Sequence, residues 1–183
     1  LSTVVPQCLS ALKILCEQYC GCTPMVVGEP GVELGIDVHV AQPGEVGADR
    51  LVNAVGAEKL HSGPLIIIDF GTATTFDAIN KDGSYEGGII APGINLSLES
   101  LHQAAAQLPR IAVSRPEKVI AKSTVPAMQS GIYWGYIGLI EGIVQRMKAE
   151  YGGAMTVIAT GGLAQLFSDG TPVINSFDPD LTV

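Results

Sequence analysis

The sequence has few charged residues, and basic residues are the scarcer of the two signs. Only 15% of the 183 residues are charged, and 10 Lys and Arg against 18 Asp and Glu give a net charge of −8. Because no basic block occurs along the chain, a nucleic-acid partner is not expected. An acidic protein that binds a polyphosphate has to neutralise it with metal ions or with backbone N–H groups.

Several common site motifs are absent as well. The sequence contains no Gly-x-x-x-x-Gly-Lys-Ser/Thr segment, which excludes a P-loop, and no Gly-x-Gly-x-x-Gly segment, which disfavours a dinucleotide-binding Rossmann site. The four cysteines have no second pair at a zinc-type spacing and no histidine nearby: Cys8, Cys16, Cys20 and Cys22. We interpret them as reduced thiols, which indicates a cytoplasmic protein.

Apolar residues, by contrast, make up 47% of the chain. This length and composition predict a packed core, in one compact domain or two small lobes, and exclude disorder. The chain opens on Leu1 rather than Met and closes on a loop-like segment, so we interpret both ends as cut. No signal peptide is visible.

Apolar periodicity and turn residues predict alternating helices and strands, typical of an α/β fold with a mixed sheet. Leu65–Asp69 is a continuous apolar run, which is expected of a strand buried on both faces. In chain order the predicted elements are a helix from Pro6 that Gly21 ends, strands at Met25–Val27 and Gly35–Ala41, a helix at Pro43–Leu60, strands at Leu65–Asp69, Thr72–Asn80 and Tyr85–Ala91, helices at Leu96–Ala106 and Thr124–Glu150, a strand at Met155–Ala159 and a helix at Leu163–Phe167.

The longest predicted helix, Thr124–Glu150, allows two interpretations. It is strongly apolar and carries a stripe of glycines, both of which are typical of a membrane span. However, Gln129, Ser130 and Glu141 interrupt the apolar run. We therefore favour a buried helix whose glycines allow another backbone to approach closely, and expect no membrane partner.

A strand that ends in Asp, Gly and several hydroxyls suggests a phosphate site. Asp69 closes the apolar run, Gly71 allows the backbone to approach a ligand, and three threonines follow within four positions: Thr72, Thr74 and Thr75. Backbone N–H groups and hydroxyls donate to phosphate oxygens, and a carboxylate holds a cation or its water shell. An ordinary polar hairpin turn is the alternative interpretation.

The segment Gly47–Asn53 forms a second candidate site. Asp49 and Asn53 lie one helical turn apart on the same face, beside small neighbours that leave room for a substrate. Asp49 would accept a proton from a substrate hydroxyl, and Arg50 would bind a carboxylate or phosphate through two N–H groups. Alternatively, Asp49 only interacts with the helix dipole.

Two glycine-rich segments complete the set. Thr160-Gly161-Gly162 follows a predicted strand and opens a helix, which permits close approach to a flat or anionic ligand. The segment Gly87–Gly93 is either a further site element or a bulged strand followed by a turn.

Taken together and in this order, these motifs resemble the type III pantothenate kinases of the actin, sugar-kinase and acetate-kinase superfamily. The resemblance runs from Leu1 to about Ala164 and is carried by the segments Glu45–Arg50, Asp69–Thr75, Gly87–Ile94, Ser130-Gly131 and Thr160–Gly162. It implies an actin-like (ribonuclease H-like) ATPase domain with a mixed sheet flanked by helices. It also implies a homodimeric enzyme that phosphorylates pantothenate with ATP in the first step of coenzyme A synthesis.

The resemblance also assigns roles to individual residues. Asp49 matches the family's general base, and Asp69 matches the ligand of an activating monovalent cation, K⁺ or NH₄⁺, beside the Mg²⁺ that accompanies ATP. The remaining matches are pantothenate contacts at Gly47, Ala48, Arg50 and Thr124, and ATP contacts at Gly71, Thr72, Thr160, Gly161 and Gly162.

The chain departs from the family pattern at its start. The family's first phosphate motif, Asp-x-Gly-Asn-Thr, is absent, so residues 1–62 are expected to be the later part of an incomplete first lobe and residues 63–183 the second lobe. This departure leaves open a non-catalytic regulatory or accessory protein on the same fold. Another small-molecule kinase of the superfamily is the other alternative.

Overall fold

The computed structural model describes residues 1–3, 6–104 and 108–182. Their elements alternate as the sequence predicts, and most bounds agree within about three residues, the usual precision of such boundaries. In chain order they are α1 (Pro6–Leu15), a π-helical turn (Cys16–Cys20), a 3-10 turn (Pro43–Glu45), α2 (Ala48–Leu60), β1 (Leu65–Phe70), β2 (Ala73–Ile79), β3 (Tyr85–Pro92), α3 (Ile94–Ala104), α4 (Thr124–Tyr151), β4 (Thr156–Gly161), α5 (Ala164–Ser168) and β5 (Ser176–Phe177). The predicted end of α3 at Ala106 lies outside the described residues.

The sheet has the order β3-β2-β1-β4-β5 and is mixed. The hairpins β1–β2 and β2–β3 are antiparallel, whereas β4 runs parallel to β1 and β5 runs parallel to β4. The turn between β2 and β3 is the predicted one, with Gly83 at a φ of 83°, a left-handed conformation that favours glycine. The predicted α/β, actin-like class with a mixed sheet flanked by helices is confirmed.

Strand β1 is central because both of its faces are buried. Ile66 and Ile68 pack on the face that α3, α4 and α5 cover, and Leu65 and Ile67 pack on the face that α2 covers. All four residues are fully buried. The continuous apolar run of the sequence therefore lies between two hydrophobic layers, as expected.

Helix α4 buries one face and exposes its glycines. Its buried residues are Met128, Ser130, Tyr133, Tyr136, Ile137, Ile140 and Val144. A Cβ atom added to Gly131, Gly135 or Gly138 would meet open space, so no described element packs on the glycine stripe. The expectation that these glycines allow another backbone to approach stays a prediction. None of the described helices is long and apolar enough to cross a membrane.

Two predicted strands before α2 are not formed. Met25–Val27 is irregular, and Gly35–Ala41 contributes a single bridge, between Val38 and Tyr85. Gly28, Gly31 and Gly35 have φ values of 92°, 90° and 71°, which interrupt an extended chain. The division at residue 62 stays a prediction, although α2 packs on β1 and β2 of the second part.

Candidate active site

The motifs at Asp69 and Thr160 meet at one edge of the sheet. Because β1 and β4 are parallel neighbours, their carboxyl ends lie together, with Asp69 beside Thr160 and Phe70 beside Gly161. In open α/β sheets, ligands bind outside the carboxyl ends of the strands. The sequence separates these motifs by about ninety residues, and the parallel pairing brings them into contact.

Asp69 is fixed by Asn53 from helix α2. Asn53 Nδ2 donates to Asp69 Oδ2 at 2.9 Å, and Asn53 Oδ1 accepts from Thr182 Oγ1 at 2.7 Å. Burial raises the pKa of Asp69 above its ordinary value; the Asn53 hydrogen bond opposes this rise, and the Asp49 carboxylate adds to it. The second oxygen, Oδ1, receives no hydrogen bond from the described residues.

Asp49 lies in the first turn of α2 and faces the same region as Asp69. It is half-buried, and its Oδ1 accepts the backbone N–H of Arg50 at 2.9 Å. The two carboxylates are close enough for Asp49 to disfavour the ionised form of Asp69. Asp49 and Asn53 share one helical face, as predicted, and that face is directed to the end of β1.

The three hydroxyls after Asp69 differ in position. Thr72 is exposed in the turn between β1 and β2, whereas Thr74 is fully buried and its Oγ1 has no hydrogen-bond partner among the described residues. Thr75 Oγ1 donates to Asp77 at 3.3 Å. Thr74 pairs with Phe70 and lies on the face opposite Asp69, whereas Thr75 pairs with Asp69 and shares its face. Thr72 is the exposed hydroxyl of the three, and their contacts with a phosphate stay a prediction.

Thr160 pairs in register with Asp69, so the two side chains lie on the same face of the sheet. The Thr160 side chain is fully buried, and its Oγ1 has no hydrogen-bond partner in the described part of the chain. Gly161, at a φ of 91°, lies against Asp69, and Gly162 is exposed. The backbone of the two glycines therefore lies at the carboxyl end of β4, next to Asp69.

Arg50 points into the protein rather than outward. Its Nε donates to Asp77 Oδ1 at 2.8 Å, and Nη2 lies 2.6 Å from the same oxygen. Tyr85 also donates to Oδ1, at 2.7 Å, and Asp77 is fully buried. Burial raises the pKa of Asp77 despite Arg50, and burial and then Asp77 raise the pKa of Tyr85 strongly. The sequence analysis missed Asp77, although a lone acidic residue inside an otherwise uncharged strand was a usable signal.

The other predicted pantothenate contacts differ in position. Gly47 caps α2 and Ala48 begins it, so both adjoin Asp49. Thr124 is exposed at the start of α4, and no contact among the described residues joins it to Asp49 or Asp69. A groove of about 570 Å³ lies at the other end of β2 and the start of β3. Residues 87–89 of the glycine-rich segment line it, but none of the residues assigned to pantothenate, ATP or the cation does.

The site suits a cation that is held mainly by substrate phosphates. The described residues contain no group of three or more His, Cys, Asp and Glu able to enclose a metal ion. Asp69 Oδ1 instead faces a space next to Gly71 and Gly161, where added Cβ atoms would lie 3.7 and 2.7 Å from that oxygen. A single carboxylate beside open backbone fits a monovalent ion, or Mg²⁺ that retains water and phosphate ligands.

Comparisons with known proteins agree with this geometry. A family model described as type III pantothenate kinase matches residues 1–146. A type III pantothenate kinase of Paramagnetospirillum magneticum is 61% identical over 183 residues, which are the whole chain and 70% of that protein. Its counterpart in Rhodospirillum rubrum is 59% identical over 183 residues, the whole chain and 71% of that protein.

A solved structure is similar at the level of the fold. The crystal structure of a Baf family protein from Campylobacter jejuni superposes with a TM-score of 0.65 and 22% identity, over 98% of this chain and 74% of that one. The family assignment rests on the sequence relatives, because they align along the entire chain at high identity. The chain therefore belongs to the type III pantothenate kinase family.

Proposed function

We propose that this protein phosphorylates pantothenate to 4′-phosphopantothenate with ATP, the first step of coenzyme A biosynthesis, and that Asp49 is its general base. The observation that carries the proposal is the convergence of Asp49 and Asp69, through Asn53, at the carboxyl ends of β1 and β4. Phosphoryl transfer needs this combination of a base for the hydroxyl and a place for charge neutralisation on the phosphates.

Asp49 is suited to remove the proton of the substrate hydroxyl. Its half-buried carboxylate is positioned by the first turn of α2, and one oxygen is already oriented by the Arg50 N–H. The other oxygen has no hydrogen bond from the residues that the structure describes. A positioned base of this kind contributes roughly 10²- to 10⁴-fold to the rate.

The phosphate end of the site is built from the β1–β2 turn and the end of β4. The backbones of Gly71 and Gly161 lie beside the Asp69 carboxylate, and exposed Thr72 and Gly162 follow them in the chain. Asp69 would hold the monovalent cation, K⁺ or NH₄⁺. When bound, that ion and Mg²⁺ neutralise phosphate charge, for which this acidic chain has few cationic side chains.

The pantothenate end would combine Gly47 and Ala48 with the backbone of Arg50 beside Asp49, since the Arg50 guanidinium is paired with Asp77. Thr124 is not joined to Asp49 within the described chain, and a homodimer would offer a route by which it reaches a pocket. The exposed glycine face of α4 supports such an interface, since backbones approach closely where side chains are absent. We expect this enzyme in the cytoplasm.

The test is ADP release by the full-length gene product with ATP, Mg²⁺ and pantothenate, with and without K⁺. Asp49→Asn should lower kcat by roughly 10²-fold or more, because the amide is not a base. Asp82→Asn, at an exposed turn position, is the matched control and should leave kcat unchanged. Absence of turnover both with and without K⁺ would refute the proposal. Turnover of a sugar or acetate instead of pantothenate would favour another kinase of the superfamily.

A further inference from the structure

The strongest feature outside the assigned site is the carboxylate of Asp77 on β2. It is fully buried between strands β1 and β3, where it pairs in register with Ile67 and Gly88. Placing a carboxylate in such surroundings costs several kcal/mol unless it is paired and hydrogen-bonded. A carboxylate at this position would therefore destabilise the fold if Asp77 had only a packing role.

Most of its contacts come through one oxygen, Oδ1. Arg50 approaches it with Nε at 2.8 Å and Nη2 at 2.6 Å, and Tyr85 donates to it at 2.7 Å. Thr75 donates to the other oxygen at 3.3 Å. The guanidinium also lies over the Tyr85 ring, with Cζ 5.9 Å from the centroid. Arg50 is thus held from two sides.

This arrangement matters for Asp49 because Arg50 is the next residue. The Arg50 N–H donates to Asp49 Oδ1 at 2.9 Å, so movement of Arg50 moves the donor that orients the carboxylate. At the start of α2, Gly47 occupies the N-cap and makes no side-chain cap hydrogen bond. Uncapped first turns have unsatisfied N–H groups and fray readily.

Strand β3 provides the room for the pair. A Cβ atom on Gly88 would lie 2.6 Å from Arg50 Nη2 and 2.9 Å from Asp77 Oδ1, so only glycine fits there. The Gly87-Gly88 pair therefore marks the place where α2, β2 and β3 meet around the guanidinium.

We propose that Asp77 is a positioning residue of the kinase: it anchors Arg50, and through Arg50 it fixes the first turn of α2 and the orientation of Asp49. This inference rests on the proposed function, in which Asp49 is the base. It also assigns Asp77 the task of keeping the Arg50 guanidinium paired away from the Asp49 carboxylate. Removal of the Asp77 charge leaves that guanidinium free to pair with Asp49 instead.

The primary test is Asp77→Asn in the full-length protein. The amide keeps the shape of the carboxylate but removes its charge, and we expect kcat to fall about 10-fold or more because a displacement near 1 Å costs up to about 10²-fold. The KM for ATP should stay within about twofold, since the phosphate end of the site is not touched. A folded Asp77→Asn enzyme with wild-type kcat would overturn the proposal.

A second variant covers the case in which Asp77→Asn does not fold. Asp77→Glu keeps the buried pair charged on both sides but displaces the carboxylate by roughly one bond, so kcat should fall while KM for ATP is retained. Wild-type kcat in this variant would equally overturn the positioning role. Proper folding is checked by circular dichroism and thermal unfolding.

Glu141→Gln is the matched control. Glu141 is a half-buried carboxylate on α4 that accepts one hydrogen bond, from Thr171 at 2.6 Å, far along the chain from α2. It should show a modest loss of stability and an unchanged kcat. The wild-type protein is assayed first: its failure to turn over pantothenate would refute the proposed function, whereas an active wild type with unaffected Asp77 variants would refute only this inference.

Discussion

A Cβ atom added to Gly161 would lie 2.7 Å from Oδ1 of Asp69 and 2.8 Å from the backbone N and O of Phe70. The end of β4 is therefore in direct contact with the proposed cation ligand on β1, as their parallel pairing requires. Gly161 also has a φ of 91°, which other residues rarely adopt. Both its size and its backbone conformation limit what can replace it.

We expect Gly161→Ala to impair nucleotide use specifically. The added methyl group would occupy the space beside Asp69 Oδ1, so the kcat/KM for ATP should fall about 10-fold or more, which corresponds to roughly 1.4 kcal/mol of transition-state stabilisation. Steady-state kinetics at varied ATP and saturating pantothenate measure this change.

Gly152→Ala is the control for backbone strain. Gly152 ends α4 at a φ of 79°, and a Cβ atom there would meet nothing within 4 Å. Gly152→Ala should lose about 1 kcal/mol of stability from backbone strain alone and keep its activity. Gly161→Ala should lose more stability, because its Cβ atom would also meet the Phe70 backbone, and it should lose activity as well. Equal activity losses in the two variants would show that the contact with Asp69 is irrelevant.

The sequence was sufficient for the helices, for the strands from Leu65 onward and for the residues that end them. Leu65–Asp69 and the turn at Gly83 follow local rules of apolar runs and left-handed glycines, and both are confirmed. It was insufficient for Gly35–Ala41, whose alternation is typical of a strand but whose bridge to Tyr85 depends on distant packing. Which strands pair with each other is decided by tertiary contacts, and the apolar periodicity of one segment carries no information about those contacts.

Side-chain direction was the main source of error within the site. Thr74 and Thr160 carry hydroxyls at motif positions, yet both are buried. Thr74 pairs with Phe70 on the face opposite Asp69, whereas Thr160 shares the face of Asp69 and is covered there by packing. Arg50 was expected to face a ligand, and its pairing with Asp77 required knowing that β2 lies beneath α2. Such pairings become visible only once the layers are assembled.

Thr72 and Thr74 make a matched pair for testing the phosphate turn. Thr72→Val should raise the KM for ATP about 10-fold, because an exposed hydroxyl that donates to a phosphate is lost. Thr74→Val removes a buried hydroxyl without a hydrogen-bond partner among the described residues, so it should leave KM unchanged and stabilise the fold by about 1 kcal/mol. ATP kinetics and thermal unfolding measure the two effects, and a reversed pattern would contradict the assignment.

Asp69→Asn should weaken the binding of the activating monovalent cation. The amide can still accept the hydrogen bond from Asn53, but it offers the site between Gly71 and Gly161 a weaker, uncharged ligand. The K⁺ concentration for half-maximal activity should rise about 10-fold or more, as a carboxylate is lost from a hard-cation site. K⁺ titrations of kcat test this, with Asp82→Asn as the control; an unchanged K⁺ response would remove Asp69 from the role.

Tyr85 should remain protonated at a pH at which an ordinary tyrosine ionises. Burial, and then the Asp77 carboxylate to which its hydroxyl donates at 2.7 Å, raise its pKa strongly. Because the folded pKa exceeds the unfolded one, Tyr85 contributes stability that is full below about pH 10 and is lost as the pH rises through the folded value.

The measurement is the ultraviolet absorbance of tyrosinate in wild type and Tyr85→Phe, titrated to about pH 11, just above the ordinary tyrosine pKa, while circular dichroism confirms the native fold. Native wild type has five tyrosines against four in the variant, yet both should form the same number of tyrosinates, since Tyr85 keeps its proton. In denaturant at the same pH, the wild type should gain one tyrosinate more than the variant. An extra tyrosinate already present in the native wild type would mean that Asp77 does not hold the Tyr85 hydroxyl as the structure indicates.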